Sequence, residues 1–505
     1  VIEVAAQYRT DTAVSGATAV ALSRRTVHWL IRSVALVAVA ASVVFAACVG
    51  GDAGVLTLPV LAETVLVVAA LEASRASRGP LRLDALTLFT AWEAMRGCAV
   101  PAAIQYLGNG DDFFYRLGTF SDTVAVLWIA VLFFLVVIVS RVAFALLGDH
   151  GGQRSGPTAV PPVTPSRVAP WALVGLGVVG MVIRFPSPAA VTGFLSGAVD
   201  QLQGTADVTV GGLTLVGMVL RPMLFVGLVL VARERRARGC SVLPVVPGLL
   251  IAVVFGLASY GLNRATVAYA VIGMVLVFSE RARGPVRAWP AAAAVGLLGS
   301  FFVLVGAVRA TLWLDRSGLE RPRLDPVAIV HSAIPYFGTP MQLAAALPSV
   351  RVSDPFGLTS FVLSVISPVP GAPDAARTAS STALYNHIVY HSFVGKDQLL
   401  PFWYEGFLCF GIAGVLAAGV LVGGLQALSD RWRASASTVL GSYAAALFVL
   451  WIAQASVTSI NVIEQNVIYF VLPPLALSAA AVFWPSRGLP LPRPPRTADV
   501  RRRDV

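Results

Sequence analysis

Apolar residues along this chain gather into blocks of about 20, parted by short stretches rich in arginine, proline, glycine and aspartate. A helix of that length crosses a hydrocarbon core of ~30 Å, and inside lipid every backbone polar group must be satisfied within the fold. The blocks therefore predict membrane helices and not strands. About twelve spans follow, at 27–50, 53–71, 83–106, 121–147, 169–186, 208–232, 241–260, 264–280, 289–311, 402–426, 436–457 and 464–484. Glu93 and Arg96 fall inside the third. Phe45-Ala-Ala-Cys48 has the form of a lipoprotein cleavage site, but the apolar stretch before it is too long and begins too late for a signal peptide. That block reads as an uncleaved first span.

Charge orients the helices. The loops bearing Arg24 and Arg25, Arg75 to Arg82, Arg154 and Arg167, Arg233 to Arg238, Arg281 to Arg287, and Arg431 with Arg433 alternate with loops that are acidic or nearly uncharged, such as those with Asp52, with Asp111 and Asp112, and with Asp200 and Asp207. Short cytoplasmic loops retain arginine. The expected topology has both termini in the cytoplasm, with a tail at 1–26, nine spans over 27–311, three over 402–484 and an Arg/Pro-rich tail at 485–505. Residues 312–401 then form one large outer loop between the ninth and tenth spans. It is studded with aromatics, holds His331, His387 and His391, and contains apolar runs at 341–347 and 358–366 that predict amphipathic helices lying on the membrane. Loops of this length are uncommon unless functional.

Composition agrees with an all-α polytopic membrane protein. The 505 residues are 57% hydrophobic and 12% charged, with a mean hydropathy of +0.78, where a soluble chain carries roughly a quarter charged residues. A soluble enzyme, a disordered chain and a disulfide scaffold are excluded; the four scattered cysteines have no paired spacing. The net charge of +11 comes from arginines between apolar blocks, so it reports topology and not nucleic-acid binding.

A few charged groups remain for chemistry. Arg184 ends the fifth span, Arg264 opens the eighth, Arg309 lies at the exit of the ninth, and Trp403, Tyr404 and Glu405 begin the tenth. A guanidinium at the outer leaflet suits a lipid-linked diphosphate, because its planar fork matches phosphate oxygens; arginines at helix ends also snorkel to headgroups. Arg221 sits mid-span beside Pro222 and calls for a partner inside the bundle, with Glu63 and Glu93 as candidates; Glu93 and Arg96, three apart, can instead pair with each other. His387 and His391 share a helix face, but no third ligand accompanies them. A base toward a sugar hydroxyl fits them better than a metal, and a structural role stands beside it. No phosphate-binding GxxxxGK[ST] loop occurs, and no metal or cofactor is expected.

Two segments carry a resemblance. Gly261-Leu-Asn-Arg264-Ala-Thr leads into an apolar span ending Glu280-Arg-Ala-Arg283; His387 and His391 precede Tyr404-Glu405-Gly406 and Gly411-Ile-Ala-Gly414. With the dozen spans and the late outer loop, these resemble the oligosaccharide repeat-unit polymerases, or O-antigen polymerases, and their relatives the O-antigen ligases. The resemblance implies a metal-independent glycosyltransferase of the bacterial cytoplasmic membrane that joins undecaprenyl-diphosphate-linked oligosaccharides on the outer face. It implies a place beside a chain-length-regulating membrane protein. Arg264, with Arg184, Arg309 and Arg221, would hold the diphosphate; His391, His387 or Glu405 would orient or deprotonate the acceptor; Trp403 and Tyr404 would contact sugar. A ligase differs in its acceptor. A lipid-linked-oligosaccharide flippase or other transporter is the rival from another class and would give weight to Arg221, Glu63 and Glu93.

Overall fold

The computed structural model describes residues 52–78, 84–99, 119–149, 170–184, 216–259 except 218 and 238, 273, 277, 343–348, 356–390 except 370 and 371, and 400–483 except 437. Among these the secondary structure is helical, with no strand. Four helices are long and apolar enough to cross a membrane: Ser121–Ala145, Phe402–Ser435, Val439–Ser456 and Ile460–Ala479. They correspond to the fourth, tenth, eleventh and twelfth expected spans, with the tenth running further than hydropathy placed it. Shorter apolar helices include Leu58–Leu71, Pro170–Ile183 and Leu243–Ala252. The expected spans at 27–50 and 289–311, and nearly all of 264–280, lie outside the described residues.

The elements that position the site are α1 (Asp52–Arg78), α2 (Ala85–Glu93, continued by a π-helical turn Ala94–Ala99) and α3 (Phe120–Asp149). Next come α4 (Pro170–Arg184), α5 (Pro222–Ala237) and α6 (Val246–Ser259). From the long loop come α7 (Gly357–Ile366), α8 (Ala375–Thr378) and α9 (Ser381–Tyr390). The chain then forms α10 (Phe402–Ser435), α11 (Val439–Ala453), α12 (Ile460–Asn466) and, after a π-helical turn Val467–Val471, α13 (Leu472–Phe483).

Helices α3 and α10 form the longest seam. Gly419 and Gly423, one turn apart on α10, let the backbones close: a Cβ at Gly423 would lie 2.8 Å from Ser140 Cβ, and one at Gly419 2.6 Å from Val136 Cγ1. Small residues four apart serve this purpose in lipid, where no hydrophobic force drives helices together. The outward face of α3 presents Trp128, Leu135, Val139 and Val142, and that of α10 presents Phe410, Ile412, Leu416 and Val420. Such apolar outer faces suit a bilayer. At one end of the seam Arg141 donates to Asp430 at 2.5 Å, and Asp430 also accepts the Ala85 N–H at 3.3 Å. Asp84 caps α2 by accepting the Thr87 N–H at 2.8 Å. One buried ion pair thereby fixes the start of α2 to both long helices.

A second packed group joins α4, α5, α11 and the turn before α13, through Leu173, Met223, Val226, Tyr443 and Trp451. Arg221 lies at its edge, buried, with its N–H and Nε both donating to the Gly217 carbonyl at 3.2 and 3.0 Å.

Candidate functional site

Of the two apolar runs expected to form helices on the membrane, the first is packed inside the protein. Leu343 to Leu347 are buried in the main core, and the Tyr404 hydroxyl donates to the Leu343 carbonyl at 2.6 Å. Helix α7 is inside-out: Ser360 and Ser364 face inward, while Leu358 and Val362 are 65% and 45% exposed. Phe361 of the same helix stays packed against the core, and the exposed Leu358 and Val362 are side chains of the kind that suit lipid.

The start of α10 receives this loop. The helix is broken at Gly411 (φ 64°, ψ −148°), a conformation that only glycine adopts without strain. A Cβ at Gly406 would lie 2.9 Å from the Gly414 carbonyl oxygen, so the Gly406–Gly414 approach also requires its glycines. A break releases backbone groups from the helical ladder, and lipid offers them no partner. The Leu408 carbonyl accepts the N–H of Phe356, the residue before α7, at 3.0 Å. The loop thus supplies one hydrogen bond to the broken helix.

Glu405 is the second tie. It is 0% exposed. Ser381, the first residue of α9, donates to Oε1 at 2.5 Å, and the Ile460 N–H that opens α12 donates to Oε2 at 3.0 Å. No side chain of α12's own caps that helix start, so Glu405 is its cap, a carboxylate set where the helix dipole favours negative charge. Behind Ser381, Ser364 Oγ lies 2.9 Å from Ser381 Oγ and 3.1 Å from Thr382 Oγ1. A chain of hydroxyls from α7 and α9 therefore ends on one carboxylate. Expected to meet an acceptor hydroxyl, Glu405 is placed as an anchor of the loop instead, since its oxygens are already engaged and out of reach of solvent.

Trp403 and Tyr404 are buried as well, at 2% and 0% exposure, and offer no open ring face for a sugar. Trp403 stacks on Phe133 (centroids 6.0 Å apart, 26° between planes) and donates from Nε1 to the Ser456 carbonyl at 3.3 Å. Arg96 stands over the same indole, its Cζ 5.7 Å from the centroid, a cation–π geometry.

Arg96 leads to a cluster between α1 and α2. Glu63 and Glu93, both buried, face each other at hydrogen-bonding range, and each interacts electrostatically with Arg96. Ser456 sits beside Glu93, and Thr64 donates to the Val60 carbonyl at 2.8 Å and lies 3.5 Å from Cys98 Sγ. The carboxylates expected as partners of Arg221 are engaged here, with each other and with Arg96.

His387 is exposed on α9, unlike Glu405. Arg184 is the last residue of α4, and its side chain, with Arg264, Arg309 and His391, lies outside the described residues. Among the described residues no group of three or more histidines, cysteines, aspartates or glutamates is placed to hold a metal ion. The site residues that sequence reasoning missed are Ser364, Ser381, Thr382 and Ser456. Only Ser360 and Ser364, four apart in an apolar run, left a signal.

Comparison with known protein families, with curated proteins and with solved structures finds no match.

Proposed function

We propose that this chain is a membrane glycosyltransferase that polymerises lipid-diphosphate-linked oligosaccharide repeat units at the outer face of a bacterial cytoplasmic membrane. The reading takes the twelve-span topology with both termini inside and residues 312–401 outside. The observation that carries it is the docking of the loop helices α7 and α9 on a membrane helix broken at Gly411. Non-helical backbone at membrane depth is retained where protein buries it or a cavity needs it. A folded cap fixed to one end of such a helix suits chemistry performed on one face of the bilayer.

In the proposed reaction an acceptor hydroxyl oxygen bonds to the anomeric carbon of the donor glycan as the bond from that carbon to the diphosphate oxygen breaks. The hydroxyl proton passes to His391 or His387, and undecaprenyl diphosphate departs. Arg264, with Arg184 and Arg309, stabilises the charge that develops on the leaving group. Arg221 belongs to the same basic set deeper in the bundle. Glu405, Trp403 and Tyr404 hold the loop that carries the histidines, and a chain-length-regulating membrane protein is the expected companion.

Arg264→Ala is expected to abolish long polymer while single lipid-linked repeat units accumulate, read by sizing extracted glycolipids on a gel. Normal chain lengths in that variant would sink the assignment. A disruption strain separates the neighbouring activities: loss of a ligase leaves long unligated polymer, and loss of a flippase traps units inside. The transporter reading draws its own support from the buried Glu63, Glu93 and Arg96, charges of the kind that line translocation paths.

A further inference from the structure

The carboxyl pair between α1 and α2 has no part in the reaction above. Glu63 and Glu93 are each 2% exposed and meet at hydrogen-bonding range. No donor group reaches either oxygen of Glu63 or Oε1 of Glu93. An ionised carboxylate only accepts hydrogen bonds, so two in contact repel unless a proton lies between them.

Among the described residues, few other charges stand near the pair. On the π-helical turn, Arg96 is the cation near both carboxylates, and Cys98 lies in the field of both. The turn after α11 contributes the Ser456 hydroxyl. From α10 comes the Trp403 indole beneath Arg96, itself stacked on Phe133 of α3. Thr90 supplies an independent sign. It is 1% exposed and its hydroxyl has no hydrogen-bond partner. It lies one turn before Glu93, at the spacing that puts two side chains on one side of a helix. A Cβ at Gly97 would sit 2.7 Å from Glu63 Cγ, which shows how tightly the π-helical turn meets the Glu63 side chain.

We propose that Glu63 and Glu93 form a proton-binding site inside the membrane, with one proton held between the two carboxyl groups and Arg96 as counter-charge. One ionised glutamate, one protonated glutamate and one arginine sum to zero. Two ionised glutamates leave a net negative charge where solvation is poor, which is costly. Released to water, the proton leaves a second carboxylate that draws Arg96 from the face of Trp403 toward α1. The segment that shifts is the π-helical turn Ala94–Ala99, a geometry that recurs at functional sites.

The test is infrared difference spectroscopy on the purified full chain in lipid nanodiscs, for the unmodified protein, Glu63→Gln and Glu93→Gln. A protonated-carboxyl stretch is expected in the unmodified protein at neutral pH, and its loss in either single variant. The glutamine amide then supplies the hydrogen bond and the remaining glutamate stays ionised against Arg96. A band lost in only one of the two variants, or surviving in both, overturns the shared proton. So does the absence of any protonated carboxyl in the unmodified protein at neutral pH, a readout that does not depend on the variants folding.

Discussion

Glu405 and Glu63 are carboxylates buried to nearly the same degree, yet their surroundings are opposite. Glu405 accepts from a hydroxyl and a backbone N–H, and it joins α9, α10 and α12. Glu63 meets another carboxylate and receives no hydrogen bond from a donor group. Burial alone therefore says little about a charged residue's work. A carboxylate whose lone pairs are met holds structure together. One left with unmet acceptors, beside a like group and one cation, is arranged for an exchangeable proton.

The same chemical change should give opposite results at the two places. The largest effect is expected at the buried ion pair: Arg141→Ala strands Asp430 in the seam and should cost about 3–5 kcal/mol, read by thermal unfolding in detergent. Glu405→Ala comes next, since it leaves the Ile460 N–H unmet and the Ser381 hydroxyl with Ser364 as its remaining acceptor; a loss of roughly 1–3 kcal/mol is expected. Limited proteolysis should then cut the 356–390 region first. Gly411→Ala forces a side chain into φ 64° and should cost about 1–3 kcal/mol, with the same segment released. Glu63→Gln closes the series with a change near zero or stabilising, because the amide provides the donor that the pair lacks. Equal destabilisation by Glu405→Gln and Glu63→Gln would erase the distinction between the two sites.

Hydropathy located the helices at 121–147, 402–426 and 436–457 because span length is set by the bilayer and is written in consecutive residues. It gave depth along a helix but not the neighbour at that depth. Glu63 and Glu93 are recognisable as costly intramembrane charges, and the three-residue spacing of Glu93 and Arg96 offers the neighbour that the structure places there; Arg221 as their partner depended on which helices touch, which spacing does not show. Glu405 stood out through its place at the loop exit. Its real partners lie 24 and 55 residues away, and nothing local announces them. The run at 341–347 differs from expectation for a related reason: apolar residues in sequence do not say whether protein or lipid will cover them, and here protein covers Leu343 to Leu347.

The Arg141–Asp430 bond joins residues 289 positions apart. At about 5–20 residues per second, the ribosome delivers the aspartate roughly fifteen seconds to a minute after the arginine. During that interval α3 stands in the bilayer with a cation whose counter-ion has yet to be synthesised. The half-made chain, more than the finished protein, is the state in which insertion factors and quality-control proteases have something to grip.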